Sequence, residues 1–137
     1  MVILSFILII LLPIDSHASK KKSIYTYKIK YITTKKYLGK YRITYYCPCS
    51  KCCGIYKKTA SGTKPKAGRT ISVDPKRIKL GSKVKIGNKT YVAEDTGSAI
   101  KGNRIDIFVK THKEALCKGV RYKKVYLIQR KKIKVKV

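Results

Sequence analysis

Acidic residues are what this chain has least of. Only 6 Asp and Glu stand against 34 Lys and Arg, giving a net charge of +28 and a pI near 10.1. Such a balance narrows the partners to anionic ones (nucleic acid, a membrane surface or a cell-wall polymer) and says nothing about fold. Tryptophan is absent, Met occurs once and Phe twice, while Tyr occurs 11 times and Ile is frequent. That mix, rich in Tyr and Ile and poor in Trp, Phe and Met, favours a β-rich domain with small layers. At 137 residues there is room for one domain. Long apolar runs are missing too. The run Met1–Leu12 is too short to span a bilayer comfortably as a mature helix.

That run, followed by Pro13 and the small-x-small sequence Ser16-His17-Ala18, reads as a secretory signal peptide over residues 1–18. No Lys or Arg precedes it, and an N-terminal membrane anchor is the alternative. Both readings place the remainder outside the cytoplasm, secreted to the cell surface or wall. Residues 19–38 contain no acid and few turn residues, and read as a basic linker or arm. As a linker the stretch is solvated and extended by charge repulsion; as an arm it lies on an anionic polymer. The domain proper is expected over residues 39–137.

Tyr41–Tyr46 is a strand candidate that runs into Cys47-Pro-Cys49-Ser-Lys-Cys52-Cys53. Four of the five cysteines lie in those seven residues, the fifth being Cys117. An oxidising compartment puts disulfides first, with Cys47, Cys49, Cys52, Cys53 and Cys117 as candidates. A metal held by Cys47, Cys49, Cys52 and Cys53 ranks second. Adjacent side chains such as those of Cys52 and Cys53 diverge and do not readily share one tetrahedron. A catalytic thiol ranks third, since the one base left after processing is His112, which reads as a surface residue of a Lys-rich helix. The following stretch, Gly54–Arg69, is a loop whose Thr59, Ser61 and Thr63 offer hydroxyls to a polar ligand.

Four of the six acids, Asp74, Glu94, Asp95 and Asp106, fall between Ser72 and Phe108. Thr70–Val73 reads as a short buried strand, and Asp74-Pro75 as the cap of a helical turn. Lys83–Ile86 and Thr90–Glu94 read as a hairpin across Gly87-Asn88-Lys89. Asp95-Thr96-Gly97 ends that hairpin, and an Asx-turn accounts for it locally. Glu94, beside Asp95 on an alternating strand, points elsewhere. Asp106 lies inside Arg104–Val109, where neither cap nor turn explains a carboxylate, so it must find a partner or act. Thr111-His-Lys-Glu114 is a capping box that opens a short helix ending at Gly119. Tyr122–Val137 alternates, its lysines suited to blunting an exposed edge strand.

Clustered carboxylates cannot all stay ionised cheaply, so one becomes a general acid near neutral pH. Cleavage of a glycosidic bond requires such an acid.

The ordered set Ala60-Ser-Gly-Thr-Lys-Pro-Lys-Ala-Gly-Arg-Thr-Ile-Ser-Val-Asp74-Pro, Leu80-Gly-Ser, Ala93-Glu-Asp95-Thr-Gly-Ser and Lys101-Gly-Asn-Arg-Ile-Asp106-Ile-Phe resembles the 3D, or three-aspartate, domain of secreted bacterial cell-wall proteins. These include the stationary-phase survival and resuscitation-type muralytic proteins and the catalytic part of membrane-bound lytic transglycosylase A. The resemblance covers roughly residues 40–128. Lys79 stands where the family has Pro, and Ser98 where it has a second Gly.

The resemblance implies an all-β fold, a six-stranded double-psi β-barrel with one short helix. It implies a lytic transglycosylase that cleaves between MurNAc and GlcNAc of peptidoglycan to 1,6-anhydro products, without metal or cofactor. Asp106 matches the acid; Asp74 and Asp95 match the other two aspartates. Thr63, Thr96, Gly97, Lys101 and Arg104 are the candidate substrate-binding residues. The expected partners are peptidoglycan glycan strands and other anionic wall polymers, not nucleic acid. A non-catalytic wall-binding module on the same barrel is the alternative. A retroviral-type protease built on Asp95-Thr-Gly would need two apolar residues before the Asp, where Glu94 intervenes. The enzymatic reading requires Asp74, Asp95 and Asp106 to line one groove.

Overall fold

Apolar side chains recur at every second residue in five short stretches: Tyr41 and Ile43, Ile71 and Val73, Val84 and Ile86, Tyr91 and Ala93, Ile105 and Ile107. Period two puts each pair on one side of a strand. The computed structural model, which describes residues 26–53 and 57–136, brings all ten into one buried core with Ile78 and Val125. The expected signal segment lies outside the described residues.

The fold is mostly β. Its strands are β1 (Tyr27–Tyr46), β2 (Thr70–Val73), β3 (Lys83–Ile86), β4 (Lys89–Asp95), β5 (Arg104–Phe108) and β6 (Arg121–Lys136). They close in the order β1-β5-β2-β4-β3-β6, with β6 returning to β1. The pairs β1–β5 and β2–β4 are parallel and the others antiparallel. β2, the short buried strand, is covered on both sides and all four of its residues are buried. The β3–β4 hairpin turns on Gly87-Asn88, pairing Ile86 with Lys89. Gly87 has φ +60° and no non-glycine residue among those described has positive φ, so the turn is of the II′ kind, with glycine at its first central position.

The described residues form two helices where one was expected: α1 (Ser50–Cys53) and α2 (His112–Lys118). The first is a single turn inside the cysteine-rich loop, too short to show a period. The second starts as the capping box requires: Glu114 N donates to Thr111 Oγ1 at 3.1 Å and Lys110 N donates to Glu114 Oε2 at 3.2 Å. Gly119 closes it, its N–H donating to the carbonyls of Ala115 and Leu116.

The ends of the chain differ from expectation. β1 runs unbroken from Tyr27 to Tyr46, so the basic stretch over 19–38 is, from Tyr27 onward, a paired strand rather than a solvated linker, and no boundary falls at residue 39. Its partner is β6, from Tyr27 opposite Lys136 to Ile43 opposite Arg121. Only the outer part of β6 is the expected edge: between Val125 and Ile128 it is paired with both β1 and β3, and from Gln129 onward, among the described residues, with β1 alone. Beyond the closed ring the two strands continue as a two-stranded ribbon. Tyr27, Ile29 and Tyr31 are exposed there, across from Lys136, Lys134 and Lys132.

Candidate functional site

Residues between the inward ones on each strand point out of the barrel. On β5 that residue is Asp106, between Ile105 and Ile107; on β2 it is Ser72, between Ile71 and Val73; on β1 it is Thr44. The pairing register joins them into one row. Ser72 lies opposite Asp106, Asp106 opposite Thr44, and Ser72 on its other side opposite Asp95 of β4. Simple alternation would not put Asp95 there. Ile71 pairs with Ala93, so the next rung should hold Glu94, but the register shifts by one residue and Ser72 meets Asp95. This bulge re-aims one side chain, as bulges beside sites commonly do. Asp95 and Asp106 are thus two strands apart on one face, with backbones about 10 Å from each other.

Asp95, Ser72 and Asp106 of this row form the floor of a groove of about 650 Å³, a size within the ~300–1,000 Å³ usual for small-molecule clefts. Tyr46, Cys52, Cys53, Thr59 and the turn Thr96–Ser98 contribute to its walls. Asp95 accepts three hydrogen bonds. Ala60 N and Thr96 N each donate to its Oδ1 at 2.9 Å, and Tyr46 OH donates to its Oδ2 at 2.9 Å. The Asx-turn expected of Asp95 is thereby replaced by a bond to the adjacent Thr96 N–H and a clamp on the 57–63 loop. Burial pushes the Tyr46 phenol well above its ordinary range, so it stays a donor.

Asp106 has a different environment. Thr44 Oγ1 donates to its Oδ1 at 2.8 Å. Burial raises its carboxyl pKa; the Thr44 hydrogen bond and the Arg42 charge oppose that rise, and the Asp95 charge adds to it. Oδ2 has no hydrogen-bond partner among the described residues and is free to carry a proton.

Asp74 does not join them. Its Oδ1 accepts Lys76 N at 3.0 Å and its Oδ2 accepts Gly102 N at 2.8 Å. Both bonds lower its pKa, with the Lys101 charge helping. It caps the turn after β2, as its Asp-Pro sequence indicated, and ties that turn to the 97–103 loop. The requirement that all three carboxylates line one groove is not met: Asp95 and Asp106 do and Asp74 does not, which leaves the two carboxyl groups that glycosidic cleavage uses. Glu94 is buried and points elsewhere, as expected. Arg69 Nη2 donates to its Oε1 at 2.6 Å and Thr70 Oγ1 to its Oε2 at 2.6 Å.

Of the candidate substrate-binding residues, Thr96 and Gly97 line the groove. A Cβ on Gly97 would stand 2.9 Å from Ile100 Cγ1, so this wall admits no larger residue without a shift. Thr63 instead braces its own loop, its Oγ1 lying 2.9 Å from Thr59 Oγ1. Lys101 is not among the lining residues, and Arg104, also outside the groove, donates to the Ala99 carbonyl at 3.3 Å. Sequence reasoning did not find Thr44, Tyr46 or Ser72. Their signal is only the alternation that points them outward; the pairing that gathers them is long-range.

The expected disulfides are not formed: all five cysteines are free thiols, and Cys117 is exposed on α2. Cys47, Cys49 and Cys52 gather around His112 Nδ1, while Cys53 turns away and donates to the Cys47 carbonyl at 3.0 Å. The divergence of adjacent Cys52 and Cys53 is therefore real, and His112 takes the place the sequence offered to Cys53. Burial raises the Cys47 thiol pKa, while the Cys47 hydrogen bond draws Cys49 down.

Residues 69–129 match the family model described as the 3D domain. Among curated proteins, the putative cell wall shaping protein YabE of Bacillus subtilis is 48% identical over 68 residues, 47% of this chain and 16% of that protein. The cell wall-binding protein YocH of the same organism is 46% identical over 72 residues, 50% of this chain and 25% of that protein. The chain thus spans a quarter or less of these relatives. Among solved structures, the lytic transglycosylase LtgG of Burkholderia pseudomallei superposes with a TM-score of 0.47 at 28% identity, over 53% of this chain and 26% of that one. MltA from E. coli does so with a TM-score of 0.45 at 23% identity, over 53% and 27%. Residues 69–129 of this chain are thus similar to a 3D domain.

Proposed function

We propose that this chain is a secreted 3D-domain protein that cleaves peptidoglycan glycan strands as a lytic transglycosylase, with Asp106 as the acid. The observation that carries the proposal is the placement of Asp106 on the groove floor, with burial favouring its protonated form beside the second carboxylate of Asp95. Thr44 occupies Oδ1, so the proton sits on Oδ2, toward the cleft. In the reaction Asp106 gives that proton to the glycosidic oxygen as the bond from C1 breaks. The Asp95 carboxylate, held by Tyr46, Ala60 and Thr96, faces the positive charge that develops at C1. Asp106, now ionised, takes the proton from the C6 hydroxyl as its oxygen closes on C1. No water is consumed, and the product is a 1,6-anhydro sugar. Thr96 and Gly97 contact the substrate; Asp74 holds the loop behind them. Neither a metal nor a cofactor takes part in this step. The two parallel strand pairs support reading the barrel as double-psi, and the wall-associated names of the relatives support peptidoglycan as substrate.

The test is digestion of purified peptidoglycan with product analysis by mass spectrometry. Wild-type protein is expected to release 1,6-anhydro-muropeptides, and Asp106→Asn to release none while folding normally. Reducing-end products, or an Asp106→Asn variant as active as wild type, would overturn the assignment. A second reading, non-catalytic wall binding, is favoured by one observation: Asp74 lies outside the groove, so only two of three aspartates are available. The name of the relative YocH, a cell wall-binding protein, agrees with it. Co-sedimentation with wall fragments and no soluble product from wild-type protein would select that reading.

A further inference from the structure

Beside the groove, three sulfurs and one nitrogen form a compact cluster that the proposed chemistry does not use. Cys47 Sγ lies 3.1 Å from Cys49 Sγ and 3.6 Å from Cys52 Sγ. His112 Nδ1 lies 3.8, 3.6 and 3.5 Å from the sulfurs of Cys47, Cys49 and Cys52. Imidazole nitrogen therefore caps a triangle of sulfurs, nearly equidistant from all three. The centre of a tetrahedron with such edges is about 2.2 Å from each vertex, against ~2.3 Å for a zinc–sulfur and ~2.0–2.1 Å for a zinc–nitrogen bond. The shortest sulfur pair, at 3.1 Å, is far beyond the ~2.05 Å of a disulfide. A disulfide would also leave the third thiol and the histidine without a role.

The backbone fixes the loop: the Cys52 and Cys53 amides donate to the Cys49 carbonyl at 3.1 and 2.9 Å. The packing leaves a task for a metal as well. Among the described residues the local apolar cluster contains Cys47, Val109 and Ala115 as its buried members, too little to fix two short helices by burial alone.

We propose that Cys47, Cys49, Cys52 and His112 bind one zinc ion as a closed tetrahedral structural site that fastens α1 and the end of β1 to the first turn of α2. Three thiols lose their protons on binding, the imidazole binds neutral through Nδ1, and the site carries one net negative charge within a chain of +28. Because Cys52 and Cys53 line the groove, the ion sets that wall. The site stands on its own geometry and does not depend on the catalytic reading.

Cobalt(II) titration of the reduced full chain tests it, with zinc as competitor. One equivalent is expected to give the intense visible bands of tetrahedral cobalt together with thiolate-to-cobalt charge transfer, and zinc to abolish them. Cys117→Ser is expected to leave the spectrum unchanged; His112→Ala and Cys49→Ser are expected to lose or displace it. If those two variants fail to fold, X-ray absorption of the zinc-loaded wild type decides, with three sulfur and one nitrogen neighbours expected. Absence of the cobalt bands in reduced wild-type protein would sink the proposal. So would a Cys47–Cys49 disulfide found by mass spectrometry in protein purified with zinc present.

Discussion

Asp106 and Asp74 are the same residue type on the same short segment, and their surroundings drive them in opposite directions. Asp74 accepts two backbone N–H bonds, which favour its charged form; Asp106 is half-buried with one hydroxyl donor and leans toward its neutral form. The stability consequences have opposite signs. A raised folded pKa means that Asp106 stabilises the fold fully below its unfolded value, ~3.9, and that this contribution is lost as pH rises through the folded value. A lowered folded pKa means that Asp74 stabilises above its unfolded value and that the contribution is lost as pH falls through the folded value. Thermal unfolding followed from about pH 3 to about pH 8 reads both effects. Asp106→Asn is expected to match or exceed wild type at neutral pH, and Asp74→Asn to unfold at lower temperature there. A stabilised Asp74→Asn protein at neutral pH would contradict the role given to its two backbone bonds. Asp74 was legible in the sequence as a cap because Asp-Pro is local chemistry; its separation from Asp106 was not, since that depends on which loops the barrel brings together.

At the scale of elements, the bulge on β4 decides which acid faces the groove. Glu94 is the inserted residue, and it is held by Arg69 and Thr70 rather than by neighbours on its own strand. Glu94→Ala would leave the buried Thr70 hydroxyl without its acceptor, a loss of about 1–3 kcal/mol. Urea unfolding is expected to show that loss as a lower midpoint, and the double variant Glu94→Ala with Thr70→Val to recover part of it. A midpoint unchanged in the single variant would mean that the bulge is held otherwise. The hairpin turn, the Thr111 cap and the Gly119 stop could be read from sequence because each is completed within a few residues. The bulge could not: alternation correctly separated Glu94 from Asp95, but which of the two would join Ser72 is fixed by a pairing across strands.

At the scale of the whole molecule, charge is concentrated where β1 and β6 leave the barrel. Lys28, Lys30, Lys132 and Lys134 lie on this ribbon, whose own residues include no acid, and Arg130 sits 4.4 Å above the Tyr31 ring. Exposed tyrosines interleaved with lysines suit contact with an anionic wall polymer, with attraction that weakens as salt rises. Replacing these four lysines by Gln is expected to reduce adsorption to wall fragments at low salt and to flatten its salt dependence, while the thermal midpoint stays within a few degrees of wild type. Adsorption unaffected by the change would place the wall contact elsewhere.

Composition and order of residues alone determined the β character, the short strands around Asp74, Asp95 and Asp106, the helix ended by Gly119, and the 3D-domain likeness, and set the expectation of an anionic partner. All of these depend on local periodicity, local capping or a string of motifs. Only the tertiary structure decided that the basic N-terminal stretch is one strand of a ribbon with the chain's other end. The same is true of the placement of Asp95 and Asp106, without Asp74, on one floor, and of His112 completing the cysteine cluster. Residues distant in sequence meet there through strand register and barrel closure, which no local pattern encodes.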